Sequence, residues 1–99
     1  MKHIAFKTVP LTTPTGGAGE LDYRAYVEFA VKQPIDGKSV GIDEMHKSVR
    51  LLNVLAKAGK DGASFEDADF DFFCAKIKAM RFNWVDPAFE QFVEDVTKG

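Results

Sequence analysis

The residues most suggestive of chemistry are four acids within one short stretch, Glu66, Asp67, Asp69 and Asp71. Alternating carboxylates occur in calcium-binding loops, which need a glycine at the sixth position and a bidentate glutamate at the twelfth. Counted from Asp67, those two positions hold Phe72 and Lys78. The run therefore does not predict a calcium site. We expect instead the acidic first turns of a helix, facing solvent or a partner protein.

Three other patterns fall short of a catalytic or cofactor site. The glycine-rich residues 16–19 lack the Gly-Lys-Ser/Thr ending of a phosphate-binding loop, and Glu20 follows them. His3 and His46 have no second ligand at metal-binding spacing. Cys74 has aromatic neighbours and no nearby cysteine, which indicates a buried structural thiol. We therefore expect no catalytic residue, no cofactor, no metal and no small-molecule substrate.

Aromatic residues are a stronger signal, because the chain has nine Phe, two Tyr and one Trp in 99 residues. Most must fill the core, but a domain of this size can hardly bury all of them. Exposed aromatic side chains on a small domain usually mark a protein interface. The predicted partner-binding residues combine the acidic turn with aromatic residues that follow it: Glu66, Asp67, Asp69, Asp71, Phe82, Trp84 and Phe89.

Four helices are predicted to position these residues. Helical spacing places the first helix at residues 23–32, after the cap Asp22, and the second at residues 42–58. The third is expected to begin at the cap Ser64, and the fourth at Asp86-Pro87. In the first helix, Phe29 and Val31 make more than one side apolar, so this helix is either buried or offers a contact face.

The second helix carries an apolar stripe. Its residues recur at intervals of three and four: Ile42, Met45, Val49, Leu52 and Ala56. Leu55 widens the stripe on one side. Such a stripe predicts the helix face that packs into the core.

The N-terminal part is predicted to hold a strand followed by a loop. Residues 2–9 are rich in β-branched residues and predict a strand ending at Pro10. Residues 12–20 hold three glycines and no large apolar residue, which predicts a flexible loop. The predicted fold is a mainly α, compact bundle of about four helices with a short N-terminal β-strand or hairpin. It is one domain over residues 1–99, with a strand at 1–11, a loop at 12–20 and a helical core at 22–97.

The charges are unevenly distributed. The net charge of −2 argues against a general nucleic-acid binder. Residues 38–60 hold five basic against two acidic residues, whereas residues 61–99 hold four against nine, so the two regions can pair within the fold or between subunits. No apolar run resembles a signal peptide or the roughly 20 residues of a membrane span. With its single cysteine, the chain is expected in a reducing cytoplasm, away from membranes.

The order of short strings along the chain supports a family resemblance. These are residues 21–31 (LDYRAYVEFAV), the Pro34/Gly37 break, Glu44-Met45 with Arg50-Leu51-Leu52, residues 66–70 (EDADF) and residues 92–96 (FVEDV). The layout resembles small proteins encoded among the structural genes of tailed bacteriophages, close to the tail genes. Some of those are tail-assembly chaperones or other morphogenesis factors.

The resemblance implies a virion-assembly or tail-associated protein that binds phage structural proteins or itself. It implies a place in the host cytoplasm, with incorporation in the virion left open, and it carries over no catalytic residue. Two alternatives stay open. One is a phage-encoded inhibitor or modulator of a host protein that uses the acidic third helix. The other is a helix-turn-helix DNA-binding regulator, which the long connection at residues 59–64 and the acidic third helix disfavour.

Overall fold

The computed structural model describes residues 1–98, in which helices and strands are mixed. In chain order the elements are β1 (Lys2–Ala5), β2 (Thr8–Thr12), β3 (Ala18–Asp22), α1 (Tyr23–Lys32), α2 (Ile42–Lys57), β4 (Gly62–Phe65), α3 (Asp67–Lys78) and α4 (Pro87–Thr97). Helices account for 50% of the chain and strands for 18%. The architecture is therefore α+β, and the prediction of a mainly helical bundle is wrong. The predicted strand at residues 1–11 is two strands, β1 and β2, which belong to different sheets. Their partners β3 and β4 are only five and four residues long, and they lie where the local pattern predicts a loop at residues 12–20 and a helix from Ser64.

The predicted flexible loop is largely part of a β-hairpin. Strands β2 and β3 pair antiparallel, with Thr8 opposite Asp22 and Thr12 opposite Ala18. Only residues 13–17 form the connecting turn, where Gly16 has a positive φ of 86° that favours glycine. Leu11 and Leu21, one on each strand, are buried and anchor the hairpin to the core.

The second sheet joins the two halves of the chain. Strand β1 pairs antiparallel with β4, and Lys2 lies opposite Phe65. Ser64, the predicted cap of the third helix, therefore lies in a strand, and its hydroxyl is 2.9 Å from Nδ1 of His3. Helix α3 begins only at Asp67, after Glu66. Because β4 stands between α2 and α3, these helices lack the short turn that joins a helix-turn-helix unit.

The other three helix predictions are confirmed. The Asp22 carboxylate accepts from the Arg24 amide at the start of α1. The Asp86 carboxylate does the same for the Ala88 amide at the start of α4. Helix α2 begins at Ile42 as expected and ends one residue early, at Lys57.

Most of the predicted core stripe of α2 faces solvent, although Leu52 is half-buried against the core and the widening residue Leu55 is buried. Ile42, Met45 and Val49 are 69%, 46% and 44% exposed, respectively. The buried residues of α2 are instead Ser48, Leu51 and Leu55. Both faces are apolar and lie about 100° apart around the helix axis. Helical periodicity alone does not tell which of the two is buried. Helices α1 and α3 and strand β4 all pack on α2 and together select the Leu51 face.

Aromatic stacking holds the centre of the core. Phe73 of α3 is fully buried, with its ring 4.9 Å from that of Phe65 and 5.9 Å from that of Phe70. Tyr23 and Phe92 meet edge-to-face at 5.0 Å, which joins α1 to α4. Such pairs contribute about 0.5–1.5 kcal/mol beyond the burial of their surface.

Replacing Phe73→Ala is expected to lower the free energy of unfolding by about 3–5 kcal/mol, because a fully buried ring is lost and leaves a cavity. Urea denaturation measures the change. Val85→Ala is the control, since the Val85 side chain is fully exposed and should leave the midpoint unchanged. A Phe73→Ala protein with the parental midpoint would contradict this description of the core.

Replacing Ser48→Ala is expected to raise the free energy of unfolding by about 1 kcal/mol. The Ser48 hydroxyl is buried and has no hydrogen-bond partner among residues 1–98. Alanine removes this unsatisfied group and favours the helix. Thermal unfolding is a sufficient measurement, and a loss of stability would show that the hydroxyl does have a partner.

Candidate functional site

The segment between α3 and α4, residues 79–86, packs its rings against α1; we call it the aromatic segment. The ring of Phe82 lies 6.4 Å from that of Tyr26 and 4.4 Å from that of Phe89, roughly parallel to both. The Trp84 ring meets Phe89 edge-on at 5.2 Å. Of the predicted partner-binding residues, Phe82, Trp84 and Phe89 are thus brought together in one cluster.

Two hydrogen bonds attach the aromatic segment to the β-hairpin. The indole Nε1 of Trp84 donates to the Thr12 carbonyl oxygen at 2.9 Å. The Thr12 amide donates to Oδ2 of Asp86 at 3.2 Å. Asp86 also caps α4 through its other carboxylate oxygen. One residue of β2 therefore fixes both the tryptophan and the start of α4.

A groove of about 380 Å³ opens between α1 and the aromatic segment. Helix α1 contributes Ala25, Tyr26 and Phe29, and the other wall consists of residues 80–84 with Phe89. Phe29 is 54% exposed although it is aromatic. The groove continues past Phe29 into a cavity of about 220 Å³. A further cavity of about 350 Å³, on the other side of Trp84, includes the fully exposed Val85.

Arg81 is the one charged residue among the described residues that line the main groove. It is exposed, and it forms no ion pair with any carboxylate of residues 1–98. The groove thus combines aromatic walls with one free positive charge. Sequence reasoning missed both Phe29 and Arg81 as site residues. Its one relevant signal was the second apolar side of the first helix, to which Phe29 belongs.

The predicted acidic residues do not belong to this groove. Asp67 begins α3 and Lys78 ends it, about 16 Å apart at 1.5 Å per residue, and the aromatic segment follows the far end. Asp69 forms an ion pair with Arg50 of α2, and its side chain is only 15% exposed. The Asp67 carboxylate lies 3.7 Å from the N-terminal amino group. Glu66 and Asp71 are exposed. The predicted contact surface is therefore two separate surfaces, and the acidic one is partly neutralised within the fold.

A buried ion pair lies next to the groove, between Lys76 of α3 and Glu44 of α2. Lys76 is almost completely buried, and its Nζ donates at 2.7 Å both to Oε2 of Glu44 and to the Gln33 carbonyl. Oε2 of Glu44 also accepts from the Ile35 amide at 3.1 Å. The hydrogen bond from Lys76 lowers the pKa of Glu44, against the opposing effect of burial. This network joins the end of α1 to α2 and α3.

A second polar cluster surrounds Asp95 of α4. The Tyr23 hydroxyl donates to Oδ2 at 2.6 Å, Lys7 forms an ion pair at 3.1 Å, and Gln91 donates to Oδ1 at 2.7 Å. Burial on its own raises the pKa of Asp95, but these three contacts outweigh it and hold the pKa below its usual value. Burial and the Asp95 carboxylate strongly raise the pKa of Tyr23. The Tyr23 hydroxyl therefore keeps its proton in the hydrogen bond to Asp95, which joins α1 to α4.

The remaining residue types capable of chemistry lie away from the groove. His3 and Ser64 contact each other on the exposed side of the β1–β4 pair. Cys74 is half-buried, and burial raises the pKa of its thiol. Among residues 1–98, no three His, Cys, Asp or Glu side chains are grouped as metal ligands would be. No helix in the described part of the chain has the length and apolar composition needed to cross a membrane.

Fold and site together define a small α+β domain with an exposed aromatic groove and one free arginine. No protein-family model, curated protein or solved structure matches this chain. The geometry of the groove is therefore the basis of the functional inference.

Acid unfolding is expected to depend on Asp95. Its folded-state pKa lies below the ordinary value of 3.8, so the carboxylate stabilises the fold above that pH, and this contribution is lost as the pH falls through the folded-state pKa. In Asp95→Asn the free energy of unfolding should therefore decrease less steeply below pH 3.8. Glu44, whose pKa is also lowered, retains part of the acid sensitivity. Identical pH profiles for the two proteins would contradict this role.

Proposed function

We propose that this chain is a non-enzymatic protein-interaction domain whose groove binds a segment of another protein. The observation that carries this proposal is the exposed groove walled by Tyr26, Phe29, Phe82 and Trp84. Aromatic and arginine side chains are the types enriched at protein interfaces and at their energetic centres. An aromatic residue as exposed as Phe29 has a cost in water that a bound partner would remove.

The chemistry of the groove indicates the kind of segment that fits it. Apolar walls favour an aliphatic or aromatic side chain, and the unpaired Arg81 favours a carboxylate beside it. The proposed ligand is therefore an exposed segment with an apolar residue next to an Asp or Glu. A purely apolar segment would leave Arg81 without a partner, and a basic one would be repelled.

The groove is held in place before any partner arrives. Thr12 fixes Trp84 and the start of α4 on one side. The pair of Lys76 with Glu44 fixes the end of α1 on the other. A preformed site loses less conformational entropy on binding, so more of the contact energy contributes to affinity.

The layout resemblance supplies the biological setting of the proposal. The partners are structural proteins of a tailed bacteriophage, foremost those of the tail. The domain acts in the host cytoplasm during assembly, as a chaperone or as a tail-associated component. Exposed segments of unassembled structural proteins are the kind of ligand that such a groove would bind.

Co-expression with tail proteins of the phage proposed to encode this chain tests the proposal. The parental protein should co-purify with at least one of them. Phe29→Ser and Arg81→Glu should each weaken that binding about tenfold or more, because they remove an aromatic contact and reverse the charge of the groove. Both side chains are exposed, so the fold should persist, and circular dichroism checks it.

Lys60→Glu is the matched control for Arg81→Glu, since it makes the same charge change at an exposed position outside the groove. It should leave binding within about twofold of the parental protein. Groove variants that bind tail proteins as well as the control would refute the site. A phage that lacks this gene and still assembles normal tails would refute the assembly role.

A further inference from the structure

The aromatic groove and the two cavities beside it lie in a row. Three lining residues are common to the main groove and the cavity of about 220 Å³: Phe29, Met80 and Arg81. Three others are common to the main groove and the cavity of about 350 Å³: Phe82, Trp84 and Phe89. Among the described residues, none lines both of the outer cavities. The main groove is therefore the middle of one longer surface, and the two cavities are its ends.

The smaller cavity is the basic end of this surface. The Arg81 side chain extends toward it, since a Cβ at Gly37 would lie 4.0 Å from Nε of Arg81. Lys76 also lines the basic end, but Glu44 balances its charge. The Asp36 carboxylate, next to Gly37, accepts from the amides two and three residues further on. Arg81 is thus the unpaired charge at this end, where it can bind a carboxylate.

The larger cavity is the acidic end. Asp86 and Glu90 line it, together with no basic residue of the described chain, and neither forms an ion pair with residues 1–98. Asp86 accepts two amide hydrogen bonds, whereas Glu90 is exposed. The Trp84 ring lines the same cavity, and indole attracts a cation over its face more strongly than the other aromatic side chains do. Val85 and Val93 add apolar surface for an aliphatic stem. These groups suit a Lys or Arg side chain.

We propose that the groove binds an extended segment with an acidic residue at the basic end, apolar residues in the main groove, and a Lys or Arg at the acidic end. The basic residue rests on the proposed function, which supplies the apolar residue and the acid. From Ala25 to Gln33, the part of α1 that lines the main groove and the basic end spans about 12 Å, or roughly four residues of extended chain. The two charges of the ligand are therefore separated by an apolar stretch of about that length. Arg81 repels a basic side chain only at its own end, so the order of charges decides which segments bind.

Selection from a displayed library of random octapeptides tests the proposal. Peptides enriched on the parental protein should carry a basic and an acidic residue on opposite sides of an apolar stretch. Glu90→Lys should remove the preference for the basic residue and keep the acidic one, and Arg81→Glu should do the converse. Glu94→Lys is the control, because it makes the same charge change at an exposed position of α4 outside the cavity. Enriched peptides that are apolar and acidic without a basic residue overturn this proposal and leave the proposed function intact, whereas no enrichment of apolar and acidic peptides overturns both.

A titration then locates the contact of the basic residue. Trp84 is the only tryptophan in the chain and lies between two of the cavities, so its fluorescence reports the binding of an enriched peptide that lacks tryptophan. Replacing the basic residue of that peptide by alanine should weaken binding to the parental protein about fivefold or more. The loss should be at least about twofold smaller on Glu90→Gln and unchanged on the control Glu94→Gln. Equal losses on all three proteins would show that the basic residue does not contact Glu90, and would overturn the proposal.

Discussion

The aromatic groove depends on the two hydrogen bonds that join Thr12 to Trp84 and Asp86. Thr12 lies on the free edge of the β-hairpin, and both of its backbone polar groups are satisfied by the aromatic segment. The same contacts protect that edge from pairing with another strand. Asp86 also caps α4, so the end of the aromatic segment, the edge of the sheet and the start of the last helix form one unit. Each bond contributes about 0.5–1.5 kcal/mol net, or more where the carboxylate accepts.

Polar contacts between distant segments have a similar role elsewhere in the fold. Lys76 binds Glu44 and the end of α1, and Asp95 joins Tyr23 of α1 to Lys7 before β2. A buried ion pair adds little net stability, since desolvation offsets most of the attraction. These contacts instead restrict how short elements can pack. That restriction matters in a chain whose strands are four or five residues long and whose helices offer more than one apolar face.

The two exposed apolar surfaces have different chemical characters. The groove is aromatic and concave and holds an unpaired arginine, which suits a segment of a different protein. The exposed face of α2 is aliphatic and consists of Ile42, Met45, Val49 and Ala56, with Leu52 half-buried beside them. No residue that lines the main groove belongs to α2, so the two surfaces are separate.

The sequence by itself determined the features that rest on local interactions. Caps at Asp22 and Asp86 locate α1 and α4, because a cap bonds amides two residues away. The density of aromatic residues put Phe82, Trp84 and Phe89 among seven predicted partner-binding residues, and these three rings lie together in the structure. Tertiary structure decided everything that rests on contacts between distant segments. Strand β4 forms because β1 pairs with it. Ser64 belongs to that strand, so α3 begins at Asp67 and not at the predicted Ser64.

The buried face of α2 was decided in the same way. Periodicity describes a stripe but not what packs on it, and α1, α3 and β4 cover the Leu51 side. Most of the stripe from Ile42 to Ala56 is left exposed for that reason. Phe29 and Arg81, 52 positions apart in the sequence, line one groove because α1 packs beside the aromatic segment. Local patterns carry no information on such a pairing, since it depends on the packing of the whole chain.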